Sequence, residues 1–491
     1  MKRILLTTLT VVFTVGYVLG GGIVTNTNQS ASWVRTLSRN ASTGIDAVYF
    51  NPAGLGKLNN GLHFSLNNQT ILQNKDVTTK FNYLSTNPFK YEGKVSAPVF
   101  PGVYAVYKMD KLAFSFGFNP VGGGGGAKYD QGLPSFEVSL STVVPILQGS
   151  LAPLDQAIES ASGTDPYFRN VTGYRFSTNF EGTSVFFGYQ FNATYQVTDM
   201  MGVAIGARYV TAKNTYKGFL KDYQINAPAN YGGWQTPGTY LRMIANTPGL
   251  DAITKATLQG TASVLDIQTG DKEVDVEQTG TGFTPLLGFH FSLMENLNIA
   301  LKYEFKTAMK VKTSIIDNKD GGGLFKKDST INSDMPAMLA AGLDYYLLSA
   351  LKLSLSYNYY LDKDANYGKS LEGQPVANDK VIDKNFYEIA IGAEYSITEK
   401  LLVSAGFLRA QTGVTKDYQS EQSFSLTSNT IGGGFLLKLN EKIRINLGYA
   451  YTMYDKDSKE YNVPLGMMNL PAKDEYFKKT MIFSAGVDIS L

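Results

Sequence analysis

The 491-residue sequence has no cysteine and only two histidines and two tryptophans. Without cysteine it cannot form disulfide bonds, thiolate metal sites or a cysteine nucleophile, and we expect neither a metal nor another cofactor. Its 44 Lys and Arg nearly balance its 42 Asp and Glu, so the net charge of +2 gives no reason to expect a nucleic-acid partner. Beyond the N-terminus, no uninterrupted apolar run is long enough for a membrane-spanning helix.

The N-terminus has the parts of a secretory signal peptide. A basic start, Met1-Lys2-Arg3, is followed by an apolar run over Ile4–Leu19 and then by three glycines. We therefore predict a signal peptide over residues 1–21 and an exported mature chain. A membrane anchor is the alternative, and it is disfavoured because the run is short and the polar Thr25–Ser30 segment follows it.

The clearest pattern in the rest of the chain is alternation of apolar and polar residues. Between Asn296 and Lys306 the odd positions are apolar or aromatic: Leu297, Ile299, Leu301, Tyr303 and Phe305. The same alternation recurs in four later segments, around Leu355, Ile391, Leu447 and Val487. Because successive side chains of a strand point to opposite faces, each segment is predicted to be a strand with one apolar face.

A soluble β-sandwich would also alternate, but three features favour a membrane barrel. Aromatic residues stand near the ends of the apolar faces, several segments have ten or more residues, and short turns alternate with long polar connections. We count about fourteen strands. The predicted fold class is all-β: an antiparallel transmembrane β-barrel over residues 61–491, with helical segments in two long outer loops.

Residues 22–60 precede the first clear strand and are irregular. The stretch Ala47–Asn60, AVYFNPAGLGKLNN, is too rich in glycine and proline for a regular element. A barrel of fourteen strands has a lumen that is either open or blocked by an inserted segment. We therefore predict that residues 22–60 form a hatch inside the lumen, where irregular backbone is tolerated.

Here the sequence resembles a known family, the FadL/TodX long-chain fatty acid transporters of the outer membrane. The resemblance starts at Thr25–Ser32, continues through Ala41–Phe50 and reaches Asn51-Pro52-Ala53-Gly54, which is similar to the NPA segment of that family. Weaker similarity of pattern follows in Gly280–Lys312, Met335–Tyr360, Phe386–Val414 and the last strand.

This resemblance implies passive uptake of hydrophobic small molecules, long-chain fatty acids or aromatic compounds, across the outer membrane of a Gram-negative bacterium. Ligands would bind an outer apolar groove, enter an internal pocket and leave after the hatch shifts. The implied partners are the hydrophobic ligand and outer-membrane lipid, and the implied state is a monomer.

The first candidate site is the NPA motif, formed by Asn51, Pro52, Ala53 and Gly54. Proline fixes φ and lacks a backbone donor, and asparagine can bond to nearby backbone. These residues are expected to hold the hatch in one bend against the wall. An ordinary turn is the alternative.

The second candidate is a row of basic residues expected to face the lumen. Lys302, Lys306, Lys310 and Lys312 are all even-numbered and thus opposite Leu301, Tyr303 and Phe305. They could bind a carboxylate, pair with the hatch and Glu304, or simply line a solvated wall. Arg208 is a further candidate. Lys213 ends a Tyr209–Lys213 stretch that resembles the family, although Thr211 replaces the arginine of the family there.

The third candidate is an apolar outer loop, which we predict to expose a ligand-landing groove next to a helix over Leu241–Leu258. Packing of the two loop helices against each other is the alternative. The groove residues are Val143, Val144, Ile146, Leu147, Leu151, Leu154 and Ile158.

Other functions remain open on the sequence alone. A general porin would have an open lumen, and a haem-binding or adhesive barrel would use its long loops. A barrel enzyme such as a phospholipase needs a serine, histidine and acid on one wall. His290 has Thr284 and Ser292 on its own face but no acid beside it, so we predict that the protein is not an enzyme.

Overall fold

The computed structural model describes residues 22–318, 325–371, 373–465 and 468–491. The predicted signal peptide, residues 1–21, lies outside these residues. No helix in the described residues is long and apolar enough to cross a membrane.

Fourteen antiparallel strands form a closed ring in the described part of the chain. In chain order they are β1 (Gly61–Lys80), β2 (Gly93–Met109), β3 (Leu112–Tyr129), β4 (Tyr174–Thr198), β5 (Met201–Asn226), β6 (Lys272–Met294), β7 (Leu297–Glu304, continued by Lys310–Asn318), β8 (Thr330–Asn332, continued by Met338–Leu348), β9 (Leu351–Tyr360), β10 (Tyr387–Ser396), β11 (Leu401–Gln411), β12 (Ser428–Lys438), β13 (Ile443–Tyr454) and β14 (Met468–Ser490). The predicted barrel and strand number are confirmed.

The ring closes where β1 pairs with β14, from His63 opposite Ser490 to Lys80 opposite Lys473. Each strand also pairs with its neighbour in sequence, as hairpin connections require. Six connections are short turns and lie at the end of the barrel that holds the start of β1 and Leu491. We call this the inner end and the end with the long connections the outer end.

Apolar side chains cover the outside of the wall, because each strand presents its alternate residues there. Exposed examples on separate strands are Phe64, Phe191, Leu301, Leu355 and Phe435. The residues between them, such as Gln69, Gln190 and Lys302, are buried in the lumen. This apolar belt with a polar interior is typical of a barrel in lipid.

The alternation changes phase within β7. The even residues Ala300, Lys302 and Glu304 are buried, but after the break at residues 305–309 the odd residues, such as Val311 and Thr313, are buried instead. Lys310 and Lys312 are therefore exposed on the outside of the wall. The expectation that they face the lumen is wrong, because the irregular turn between the two parts of β7 reverses the faces.

The wall has a seam between β2 and β3. Val95 of β2 pairs with Ala127 of β3, and the next paired residues are Val103 and Phe118. Between these two pairs the strands are not paired with each other, although β2 remains paired with β1 over part of this stretch. Pro98 and Pro101 lie in the unpaired part of β2, and the glycine run Gly122–Gly126 lies opposite in β3. Prolines cannot donate to a ladder and glycines bend easily, so both sequences favour such a gap.

Residues 22–55 lie inside the ring and are almost all buried. They contain helix α1 (Ala31–Thr36), helix α2 (Ala47–Phe50) and a 3₁₀ turn over Pro52–Lys57. Ser30 caps α1 by accepting a hydrogen bond from the Trp33 amide, and Leu37 ends it in the left-handed conformation. Residues 22–60 are called the N-terminal segment below.

Among the described residues, the long connections at the outer end carry four helices of eight or more residues: α3 (Pro134–Ser141), α4 (Asp155–Ser162), α5 (Pro237–Ala245) and α6 (Ala252–Thr269). Their apolar residues form one core with Leu220, Tyr223 and Ile225 of β5. Val143, Val144, Leu147, Leu151 and Ile158 are buried, and Ile146 and Leu154 are partly buried. The expected exposed groove is therefore wrong: the two loops cover each other's apolar faces.

A further connection, residues 412–427 between β11 and β12, folds inward and is called the inturned loop. Its residues from Tyr418 to Thr427 are almost all buried in the outer half of the lumen. Phe424 and Leu426 pack with Val77 and Tyr476 of the wall. The lumen is thus filled by the N-terminal segment towards the inner end and by the inturned loop towards the outer end.

Candidate functional site

The NPA motif lies against the inner surface of β6 and β7. The Asn51 side-chain amide donates to the carbonyl oxygens of Phe289 (3.0 Å) and Leu301 (3.1 Å), which belong to paired residues of the two strands. Its oxygen accepts from the Ala53 amide at 3.1 Å, which caps the following 3₁₀ turn. One side chain therefore fixes both the bend of the segment and its position on the wall.

Other wall residues hold the same stretch through its backbone. Thr194 of β4 donates to the Pro52 carbonyl at 2.7 Å, and Gln190 donates to the Val48 carbonyl at 2.6 Å. Buried backbone carbonyls need hydrogen-bond partners, and this stretch has little secondary structure of its own to supply them. These bonds from the wall provide the partners.

Two strand cations converge on Tyr49 of this stretch. Arg208 makes two hydrogen bonds to Glu304, each 2.8 Å, and Lys302 lies 2.7 Å from the same carboxylate. Lys302 also donates to the Tyr49 carbonyl at 2.9 Å, and both cations lie about 5 Å from the Tyr49 ring. The structure thus unites Arg208 and Lys302 at one buried site, together with Glu304.

A small internal pocket adjoins this group. Arg208, Glu304 and Tyr49 form its polar side, and Met338 and Tyr360 contribute apolar surface. Thr25 of the N-terminal segment also lines it. A pocket bounded jointly by the wall and the segment changes shape whenever the segment moves.

The remaining basic candidates are not part of this site. Lys213 points outward from β5, with 58% of its side chain exposed, and pairs with Glu277 at 2.7 Å. The expectation that it faces the lumen is wrong, because the even residues of β5 are the inward ones. Lys306 lies in the break of β7, and its ammonium reaches the Asp364 carbonyl at 3.1 Å.

A second group of charges anchors helix α1 near the opposite wall. Arg35 pairs with Glu394 of β10 at 2.5 Å and donates to Asn446 of β13 at 3.1 Å. Arg39 forms two hydrogen bonds to Asp46, at 2.7 and 2.9 Å, and so holds the chain bend after α1.

Inward glycines of the wall mark the path of the segment. A Cβ atom at Gly288 would lie 2.5 Å from the Asn51 side-chain oxygen, and one at Gly202 would lie 2.8 Å from the Ala53 carbonyl. A Cβ atom at Gly342 would lie 2.5 Å from the Ala41 amide nitrogen. We call these and the similar positions Gly392, Gly406 and Gly432 the glycine track. Only residues without a side chain allow this close approach.

No protein-family model matches the sequence, and no curated protein matches it. Solved structures are similar to it. A Pseudomonas aeruginosa FadL homologue aligns with a TM-score of 0.61 over 96% of this chain and 100% of its own, at 13% identity. The Pseudomonas putida toluene transporter TodX aligns with a TM-score of 0.54 over 98% of this chain and 100% of its own, at 15% identity. The chain has the FadL-type fold.

Within this FadL-type barrel, the sequence pointed to Asn51, Arg208 and Lys302 but not to the role of Tyr49. Alternation correctly predicted that Arg208 and Lys302 face the lumen. Nothing in the sequence indicated that an aromatic residue three positions before Pro52 would lie between two cations. In the described residues no group of His, Asp and Glu is arranged to hold a metal ion.

Proposed function

We propose that this protein takes up hydrophobic small molecules passively across the outer membrane of a Gram-negative bacterium, acting as a monomer. The observation that carries the proposal is the N-terminal segment packed into the lumen through Asn51 and Tyr49. A filled lumen suits a transporter whose passage opens only on demand, whereas a general porin needs a continuous aqueous channel.

The seam between β2 and β3 supports a sideways exit from the lumen. At this place the N-terminal segment substitutes for β2: Thr25 bridges to Gly122, and the Asn26 amide donates to the Val121 carbonyl at 2.9 Å. Movement of the segment would uncover the unpaired edge of β3. A hydrophobic molecule could then pass from the pocket through the wall and avoid water.

The outer face of α6 is the proposed landing surface. Ile253 and Ile267 are 79% and 71% exposed, and Val264 is also exposed; the three lie on one side of the helix. We assign the landing role to these residues and not to the predicted groove, because the apolar side chains of that groove are mostly buried. The FadL homologue and the toluene transporter TodX share the fold, so long-chain fatty acids and aromatic hydrocarbons are both candidate ligands.

Three measurements test the proposal on the full-length protein. Mass spectrometry of the purified protein should detect apolar molecules that copurify with it. The protein should pass almost no ion current in a planar bilayer. Expression in a bacterium deficient in uptake should raise accumulation of hexadecanoate or toluene. High conductance without any bound apolar molecule would instead identify a porin.

A further inference from the structure

Two lysines face each other where the ring closes. Lys75 of β1 and Lys478 of β14 are directly opposite in the antiparallel pairing, and both side chains are buried in the lumen. Directly opposite like charges destabilise a sheet, since their Cβ atoms are about 5 Å apart. The arrangement has a cost in stability at a position where the wall could carry neutral residues.

A third buried lysine belongs to the same group. Lys369, in the connection from β9 to β10, is 6% exposed and approaches the inturned loop, as Lys75 and Lys478 do. It donates to the Tyr418 carbonyl at 3.2 Å and to the Ser423 hydroxyl at 3.0 Å, and its ammonium lies 3.7 Å from the Tyr418 ring centre. Three buried ammonium groups therefore contact the inturned loop.

The groups of the loop that contact the ammoniums of Lys369 and Lys478 are neutral. Lys75 donates to the Gln422 carbonyl, and Lys478 lies about 5 Å from the rings of Phe424 and Tyr454. Across the described ranges, Lys369 and Lys478 form no ion pair with a carboxylate. Glu421 is close by, but its two oxygens accept from Ser135 at 2.8 and 2.5 Å.

Neutral acceptors compensate a buried ammonium less well than an anion does. Charge-assisted hydrogen bonds are roughly twice as strong as neutral ones, and a buried charge without an opposite charge is costly. Burial and, to a smaller extent, the nearby Lys459 together lower the pKa of Lys369 to about 7. An anion in place of the loop carbonyls would restore a fully charged Lys369.

We propose that Lys75, Lys369 and Lys478 form an anion site that binds the carboxylate of a long-tailed acid when the inturned loop moves aside. The apolar tail would lie along Tyr454 and Tyr476 of the wall, in the space that Phe424 fills while the loop is closed. This inference rests on the proposed uptake function and specifies its ligand: an amphiphile with one anionic head, in preference to a neutral hydrocarbon.

Binding and uptake of a matched pair of probes test the site. The probes are hexadecanoate and methyl hexadecanoate, which share the tail and differ in head charge. Lys369→Met and Lys478→Met should each weaken hexadecanoate binding at least tenfold and change ester binding less than twofold. Lys478→Arg, which keeps the charge, should retain acid binding. The control is Lys479→Met, the next residue along β14, which lies on the outer side of the strand.

A photoreactive hexadecanoate, with its reactive group next to the carboxylate, tests the wild-type protein and so does not depend on the folding of any variant. Cross-links should lie on β1, on β14 or on the inturned loop. Cross-links confined to the pocket of Arg208 and Glu304 would overturn the assignment. Competition by inorganic phosphate as strong as that by hexadecanoate would also overturn it, because the tail would then contribute nothing.

The outcomes separate the two claims. Suppose that wild-type protein binds and takes up both probes. If the lysine variants then bind acid and ester as wild type does, or bind both equally weakly, the anion site is wrong and the uptake function stands. If wild-type protein takes up neither the acid nor the ester, the uptake function itself is wrong.

Discussion

Asn51 joins the N-terminal segment to two strands and caps a turn with a single side chain. Asn51→Ala removes these bonds, a net loss of about 1–2 kcal/mol, and leaves the Ala53 amide without its cap. We expect hydrogen exchange of the amides in Ala47–Leu55 to become about 5- to 30-fold faster, the factor for 1–2 kcal/mol.

Hydrogen exchange with mass spectrometry in detergent micelles measures this effect. Asn59→Ala is the matched control, because Asn59 lies in the same segment with an exposed side chain. Equal exchange in the two variants would show that the Asn51 bonds do not hold the segment.

Glu304 is a second residue on which the site depends. Glu304→Gln leaves Arg208 and Lys302 buried without their shared carboxylate, and breaking such a buried group costs about 3–5 kcal/mol. We expect a clear fall in melting temperature and loss of bound apolar ligand. The control is Glu277→Gln, which breaks the surface ion pair with Lys213. Such a pair contributes about 0–1 kcal/mol, so the melting temperature should change little.

At the level of elements, the reversal of faces in β7 gives a labelling experiment. The chain has no cysteine, so single-cysteine variants report one position each. A membrane-impermeant thiol reagent should label Lys312→Cys from outside the cell. It should not label Val311→Cys, which points into the lumen. The opposite result would restore the uninterrupted alternation expected from the sequence.

The same strand explains what the sequence could predict. The apolar and polar positions of residues 297–304 were predicted correctly, because alternation depends only on local geometry. The break at residues 305–309 has no comparable signal, so the predicted faces of Lys310 and Lys312 were wrong. The prediction of an exposed groove in the outer loops was wrong for a different reason. The sequence of an apolar loop is the same whether the loop is exposed or covered by another loop.

Closure of the inturned loop should depend on pH through Glu421. Burial raises the pKa of Glu421 to about 7; hydrogen bonds from Ser135 oppose the shift, as does Lys75, and Asp474 adds to it. An exposed glutamate has a pKa of about 4.3. Between these values the closed loop holds a proton that the open loop releases, so closure weakens as the pH rises from 5 to 7.

Thiol labelling of Ser420→Cys measures this opening. Labelling of Ser420→Cys, divided by that of the exposed Lys380→Cys, should increase from pH 5 to pH 7. Division by the exposed site removes the intrinsic dependence of thiol reactivity on pH. In the Ser420→Cys variant that also carries Glu421→Gln, the labelling ratio should no longer increase with pH. An unchanged increase would exclude Glu421 as its source.

For the whole molecule, the N-terminal segment and the inturned loop close the lumen in series. Opening one should leave the other in place. We expect little ion current from a variant lacking residues 23–30, and little from one in which a Gly-Ser-Gly linker replaces residues 417–425. The combined variant should conduct far more than the sum of the two. Replacement of the exposed pair Gln374 and Pro375 is the control, and current from either single variant would contradict closure in series.

The overall architecture was more predictable than the site. Fourteen strands and the apolar belt follow from periodicity and from the turns, and the insertion of the irregular N-terminal stretch was predicted from the lumen that such a barrel leaves. The inward fold of residues 412–427 was not predicted, because its sequence is polar and similar to that of an exposed loop. The opposition of Lys75 and Lys478 depends on the register of ring closure, which no local pattern contains.

The glycine track has an evolutionary consequence. Because the track fits the N-terminal segment, the wall and the segment cannot change independently. A substitution at Gly288 or Gly342 must be compensated by a different route of the segment, so these positions should covary with Asn51 and Ala41 among relatives. Exchange of the segment alone between two such barrels should therefore fail, whereas exchange of the segment together with its glycines should succeed.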